Sequence, residues 1–77
     1  MNPKAELLEI IKRFKKIDEN VFTENANMRR DLGLDSLQIA SIAGEIEDAF
    51  GVEITDEQAA AAVTVGDWLR LIEGEKE

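Results

Sequence analysis

The hydroxyl group of Ser36 is the most promising reactive group in the sequence. It falls within the segment DLGLDSL, residues 31–37, where an irregular stretch turns into an amphipathic pattern. Asp35 is a favourable N-cap, because its carboxylate can accept from unpaired backbone N–H groups of the first helical turn. Ser36 is then the first helical residue, and its hydroxyl is predicted to be free and exposed to solvent.

Two further signals define this helix start. Gln38 completes a capping box with Asp35, while Leu34 and Ile39 occupy the positions of a hydrophobic staple. Backbone amides and the helix dipole at such an end favour a phosphate attached to Ser36. The alternative is that Asp35 and Ser36 only cap a helix, as most such pairs do. That alternative leaves the free hydroxyl unexplained.

The composition argues against a catalytic role for this serine. A nucleophilic serine needs a base to take its proton, normally histidine, and the sequence contains no histidine. It contains no cysteine either, so a disulfide framework and the usual zinc ligand sets are excluded. We expect no catalytic residues and no metal site, and any thiol that the protein uses must come from outside.

Length and hydropathy indicate one small soluble domain. Seventy-seven residues lie near the lower limit at which a single apolar core can hold a fold, so we expect one domain over residues 1–77. The first residues lack the basic and apolar order of a signal peptide, and no apolar run approaches the roughly 20 residues that span a bilayer. A cytoplasmic protein is the default expectation.

The net charge of −8 is distributed unevenly. Residues 1–30 hold seven Lys/Arg against five Asp/Glu, a balance of +2, whereas residues 31–77 hold two against twelve, a balance of −10. This acidic second half would repel nucleic acid and anionic lipid and would steer basic partner surfaces toward Ser36. For most of these carboxylates a purely solubilising role is the competing interpretation.

Helical periodicity before and after Ser36 predicts the elements that position it. Asn2 is predicted to cap a first helix that begins at Pro3. Residues 18–34 are predicted to form a long loop. Its acidic residues lack the order of ligands that a calcium-binding loop requires. The predicted apolar stripe of helix one is Leu7, Leu8, Ile10, Ile11, Phe14 and Ile17, and the residues expected to pin the loop are Val21, Phe22, Met28 and Leu32.

Three further helices are predicted after the loop. Helix two runs from Ser36 to about Phe50 and ends at Gly51, a left-handed C-cap. A capping box of Thr55 and Gln58 opens a short helix through residues 59–62. A second box, Thr64 with Asp67, opens the last helix, with Val63 and Trp68 as a staple. The buried faces are predicted to be Ile39, Ile42, Ala43, Ile46 and Phe50 in helix two, and Trp68, Leu69, Leu71 and Ile72 in the last helix, while residues 74–77 fray.

Leu37 falls almost opposite the buried face of helix two, in a group with Ser41, Gly44 and Asp48. A single surface leucine is commonplace, and it could also pack under the preceding loop. However, an apolar side chain beside the hydroxyl has the pattern of a docking anchor with a charged rim, since rim charges set encounter rates and the anchor sets lifetime. The carboxylates of this predicted rim are Asp35, Glu45, Glu47 and Asp48.

Residues 33–37, GLDSL, resemble the attachment site of acyl carrier proteins, and the resemblance extends over nearly the whole chain. It implies an all-α four-helix bundle with three main helices, one short helix and a long first loop. It implies that a phosphopantetheinyl transferase adds 4'-phosphopantetheine from coenzyme A to Ser36, and that the arm carries acyl groups as thioesters. The implied partners are that transferase and acyl-transfer or synthase enzymes with basic docking surfaces. The partner-binding residues would be Asp35, Leu37, Ala40, Gly44, Glu47 and Asp48, on a monomer.

The sequence departs from the family at three positions of helix two. Fatty-acid carriers often have more carboxylates early in this helix and a bulky apolar residue at its middle, where this chain has Gln38, Ser41 and Gly44. Glu47 and Asp48 match. The predicted function is a carrier for fatty acid synthesis. Two alternatives remain: a specialised carrier for polyketide, lipid or amino-acyl units, and an unmodified helical interaction module.

Overall fold

The computed structural model describes residues 2–74 as an all-α fold of four helices, as predicted. The helices are α1 (Pro3–Lys12), α2 (Ser36–Phe50), α3 (Asp56–Ala61) and α4 (Val65–Glu73). Within residues 2–74, pairing of extended backbone is limited to an isolated antiparallel bridge between Asn27 and Thr64. None of the described helices combines the length and the apolarity that crossing a membrane requires.

Helix α1 begins as predicted but ends earlier than its apolar stripe. The side chain of Asn2 accepts from the Lys4 amide at 3.0 Å, and Pro3 occupies the first turn. The amides of Phe14 and Lys15 both donate to the Ile11 carbonyl, at 2.9 and 3.1 Å, which tightens the chain into a turn after Lys12. Ile17 therefore reaches the core from the loop and not from the helix.

The core lies where α1 packs against α2 and α4, while α3 contacts α2. Burying each large apolar side chain contributes about 1.5–3 kcal/mol. Trp68 is fully buried, as predicted, although its indole N–H has no acceptor in the described chain and nothing in the structure explains that. The largest fully buried side chains are Trp68, Leu7, Ile11, Met28, Ile42, Ile46 and Val65.

The loop between α1 and α2 is fastened to the first turn of α4. The Met28 amide donates to the Val63 carbonyl at 2.9 Å. In the other direction, the amides of Val65 and Gly66 donate to carbonyls of the loop. A Cβ on Gly66 would lie 3.1 Å from the Glu24 carbonyl oxygen, so only glycine permits this close approach without a shift.

Apolar side chains of the loop add to this attachment. The residues buried from the loop are Ile17, Phe22, Ala26, Met28, Leu32 and Leu34. The prediction for Val21 was wrong, because it is 39% exposed and does not pin the loop. A loop has no regular period, so its buried positions depend on the path of the backbone and cannot be predicted from spacing.

A turn at residues 27–33 leads the chain into α2. The side-chain oxygen of Asn27 accepts from the amides of Arg29 and Arg30, both at 2.9 Å. Asp31 in turn accepts from the Asn27 amide at 2.8 Å. Gly33 has a φ of +74°, a conformation that favours glycine, and it turns the chain toward the first residue of α2.

The remaining predictions on the last two helices are largely confirmed. Both capping boxes are present, at Thr55 and at Thr64, although α3 ends at Ala61 instead of Ala62. Val63 is 47% exposed, so much of this expected staple residue lies outside the core, and Leu71 is only partly buried. Gly74 caps α4 in a left-handed conformation, and the rest of the predicted frayed tail, residues 75–77, lies outside the described residues.

Candidate functional site

The start of α2, residues 34–39, has the local structure that the sequence predicts. Asp35 accepts from the Gln38 amide at 2.8 Å, and the Asp35 amide donates to the Gln38 side-chain oxygen at 3.0 Å. Leu34 and Ile39 are both buried, as a staple requires. These contacts fix the direction in which the chain enters α2 and place Ser36 at its first position.

Ser36 is exposed, as predicted. The prediction that its hydroxyl is free was wrong. The Nη1 atom of Arg29 donates to Ser36 Oγ at 3.0 Å. The Ser36 oxygen therefore acts as an acceptor, while its own proton remains available to a base. Sequence reasoning missed this contact because it depends on the turn at residues 27–33, which has no periodic relation to α2.

The amides next to this hydroxyl remain open. The Gln38 amide is taken by Asp35, whereas no acceptor within residues 2–74 takes the amides of Ser36 and Leu37. Open amides at the positive end of a helix, together with a guanidinium, favour a negatively charged group bonded to Ser36 Oγ. The groups present at this helix start therefore fit an attached phosphate.

Ser36 and Arg29 also line an open groove between α2 and α3, with a volume of about 290 Å³. Small side chains leave this space, and a Cβ built on Gly44 would meet nothing within 4 Å. Gly44 is thus not required by packing. The other residues that line the groove are Ile39, Ala40, Ala43 and Glu47 from α2, Ile54 and Thr55 before α3, and Asp56, Ala59 and Ala60 from α3.

Leu37 is 81% exposed, which excludes packing under the preceding loop. Ser41, Gly44 and Asp48, which were predicted to share its face, are also exposed, and so is Ala40. The structure thus presents an apolar side chain beside Ser36.

The carboxylates predicted to form a rim around Leu37 are mostly engaged within the protein. Glu45 pairs with Arg13 at 2.8 Å, and Glu47 accepts from the Ile54 amide at 2.8 Å. Asp35 is the cap of α2. These groups still contribute negative charge, but each also holds the fold together.

Gln38 has a structural role that a carboxylate at the same position could not fill. Its Nε2 atom donates to the Phe14 carbonyl at 3.2 Å while its oxygen accepts from the Asp35 amide. A carboxylate could accept but could not donate. The side chain therefore joins the start of α2 to the turn that follows α1.

Two charged groups with displaced pKa values lie on other elements. The hydrogen bond with Glu19 raises the pKa of Lys12 at the end of α1. The backbone amide of Thr64, aided by that of Val63, lowers the pKa of Asp67 in the first turn of α4. Both shifts therefore arise at structural contacts away from Ser36.

Comparison with known proteins agrees with this geometry. A family model described as the phosphopantetheine attachment site matches residues 5–72. The chain therefore belongs to this family of carrier domains, which hold acyl groups on phosphopantetheine and catalyse no reaction themselves. Its fold is similar to the structure of an acyl carrier protein from Enterococcus faecalis, with a TM-score of 0.80 and 31% identity, covering 96% of this chain and 94% of that chain.

Proposed function

We propose that Ser36 is the residue to which 4'-phosphopantetheine is attached in this acyl carrier. The observation that supports this assignment is the exposed Oγ atom at the first position of α2, beside open amides and the Arg29 guanidinium. When bound, the group supplies a thiol on which acyl chains are held as thioesters. The chain's own residues fix the direction of α2 and present Ser36 Oγ to solvent.

We also propose that the protein is a substrate of a phosphopantetheinyl transferase. The chain contains no histidine that could take the Ser36 proton, so the base must come from the transferase. Ser36 Oγ attacks the phosphorus of coenzyme A that bears the pantetheine arm. The pyrophosphate bond of coenzyme A breaks, adenosine 3',5'-bisphosphate leaves, and the product is a phosphodiester on Ser36 Oγ. Because Arg29 donates to Ser36 Oγ and does not accept from it, the hydroxyl proton stays available to that base.

The partner surface that we propose is the exposed face beside Ser36. Leu37 is its apolar anchor, and the acidic second half of the chain favours enzymes with basic docking surfaces. The remaining proposed contact residues are Asp35, Ala40, Gly44, Glu47 and Asp48. Fatty acid synthesis in the cytoplasm is the proposed setting, and carriage of polyketide, lipid or amino-acyl units is the alternative that Gln38, Ser41 and Gly44 keep open.

Intact mass after incubation with a phosphopantetheinyl transferase and coenzyme A tests the attachment point. The wild-type protein is expected to gain the mass of one phosphopantetheine group, and Ser36→Ala none. Ser41→Ala is the matched control, because Ser41 is the chain's other serine and is exposed on the same helix. It should be loaded like the wild type.

Two results would contradict the proposal. Loading of Ser36→Ala would place the group on another residue. A wild-type mass that stays unchanged with several transferases would favour an unmodified interaction module. Circular dichroism of each variant shows whether it is folded when it is tested.

A further inference from the structure

We propose that Arg29 binds the phosphodiester of the attached arm and holds the root of the arm at the groove between α2 and α3. This inference rests on the proposed attachment to Ser36. It begins with the hydrogen bond from Arg29 Nη1 to Ser36 Oγ, the atom that becomes the ester oxygen. Arg29 is thus already in contact with the attachment atom before the group is added.

The turn that carries Arg29 is held by its own backbone contacts. The Arg29 amide donates to the Asn27 side chain at 2.9 Å, and its carbonyl accepts from the Gly33 amide at 3.1 Å. Asp31 fixes Asn27 in turn. The side chain of Arg29 therefore projects from an ordered backbone toward Ser36.

Attachment would replace a neutral hydroxyl with an anion at the same place. A guanidinium has several N–H donors in a planar fork that matches phosphate oxygens, and its contact with Oγ uses only part of that fork. Hydrogen bonds between ionised partners are stronger than neutral ones. The contact seen in the unmodified chain would therefore strengthen when the chain is loaded.

The position of Arg29 also determines the direction in which the arm leaves Ser36. Arg29 and Ser36 both line the groove between α2 and α3, whereas Leu37 lies outside it. A phosphodiester bound to Arg29 is drawn toward the loop side of Ser36. The first part of the arm then starts along the groove and is less mobile than a free tether.

Arg30 offers a matched control for Arg29. Both residues are exposed, both carry a positive charge, and both donate their amides to the same oxygen of Asn27 at 2.9 Å. Replacement of either side chain leaves those backbone bonds in place. Arg29→Gln and Arg30→Gln thus remove the same charge from adjacent positions, and only the first removes the contact with Ser36.

The experiment measures the ³¹P resonance of the phosphodiester and the side-chain resonances of Arg29 in fully loaded protein. We expect Arg29→Gln to shift the ³¹P resonance. The ratio of phosphodiester held beside residue 29 to phosphodiester free in solvent should fall by about fivefold at most, since the pair is exposed. Arg30→Gln should leave both unchanged. In the wild type, loading should move the Arg29 Nε–H resonance, and added salt should reverse that movement.

Equal ³¹P resonances in wild type, Arg29→Gln and Arg30→Gln would overturn the inference, as would equal shifts in both variants. Arg29→Lys keeps the charge and loses the planar fork, so a resonance between those of wild type and Arg29→Gln is expected. It also provides the test if Arg29→Gln does not fold. Failure of wild-type loading would reject the proposed function, whereas a loaded protein without an Arg29 effect would reject this inference alone.

Discussion

Helices α2 and α4 begin in the same way but present their first residues to different surroundings. Each start has a capping box, formed by Asp35 with Gln38 in α2 and by Thr64 with Asp67 in α4. The first residue of α2, Ser36, is exposed, whereas the first residue of α4, Val65, is fully buried. Similar local sequences thus produce one open helix start and one closed one.

The long loop closes the start of α4. The Val65 amide donates to the Ala26 carbonyl at 3.0 Å, and the Gly66 amide donates to the Glu24 carbonyl at 2.9 Å. The corresponding amides of α2, those of Ser36 and Leu37, have no acceptor within residues 2–74. Capping residues therefore define where a helix begins, and the neighbouring backbone determines whether that beginning can bind an anion.

The two starts are also fastened by different groups. Backbone carbonyls of the loop hold α4, whereas a side chain, that of Gln38, joins α2 to the Phe14 carbonyl. A side-chain attachment leaves the amides of Ser36 and Leu37 unused. The start of α2 is thereby held in place while these two amides stay open.

The largest expected effect compares the first residues of the two helices. Val65→Ala should lower the free energy of unfolding by about 2 kcal/mol, because it removes fully buried apolar volume. Ser36→Ala should change it by less than about 0.5 kcal/mol, since Ser36 is exposed. Urea unfolding followed by circular dichroism measures both. A similar cost for the two substitutions would show that the α2 start is not the open one.

The second prediction concerns how the α2 start is fastened. Gln38→Glu should lower the free energy of unfolding by about 1 kcal/mol, because the Phe14 carbonyl loses its donor and faces a carboxylate instead. Gln58→Glu is the matched control: Gln58 fills the same position of a capping box, with Thr55, and makes no contact like that with Phe14 among the described residues.

Urea unfolding at neutral pH distinguishes the two glutamine variants. Gln58→Glu should stay within about 0.5 kcal/mol of the wild type, since an acidic residue suits the first turn of a helix. Equal losses for both variants would mean that Gln38 acts only as a capping residue. In that case its departure from the family would have to be explained by partner contacts.

Much of the fold follows from local signals in the sequence. The boundaries of α2, its cap at Gly51 and the capping boxes of all three later helices match the predictions, because each depends on residues within one helical turn. Periodicity also predicts the buried positions Ile39, Ile42 and Ile46 of α2, whereas Ala43 and Phe50, expected on the same face, are only partly buried. The choice of Ser36 required the resemblance to a carrier family in addition, since helix-capping serines are common.

The features that the sequence did not predict depend on contacts between distant segments. The Arg29 contact with Ser36 arises from a turn, and the Gln38 contact with Phe14 joins residues 24 positions apart. Neither contact has a periodicity or a short motif that would indicate it.

The smallest effect concerns the pH dependence of the closed start. The Asp67 carboxylate accepts from the Val63 and Thr64 amides at 2.8 and 3.0 Å, which lowers its pKa below the ordinary value of 3.8. A lowered folded-state pKa stabilises the fold fully above the unfolded value, and this contribution is lost as the pH falls through the folded value. Asp67→Asn lacks that contribution at every pH.

The difference in unfolding free energy between wild type and Asp67→Asn should therefore be largest at neutral pH, at about 0.5 kcal/mol, and should shrink as the pH falls from about 5 toward 2. Other carboxylates titrate in both proteins and cancel from this difference. Urea unfolding at a series of pH values measures it. A difference that stays constant over this range would mean that the Asp67 charge does not contribute to closing α4, and that the loop carbonyls hold its first turn alone.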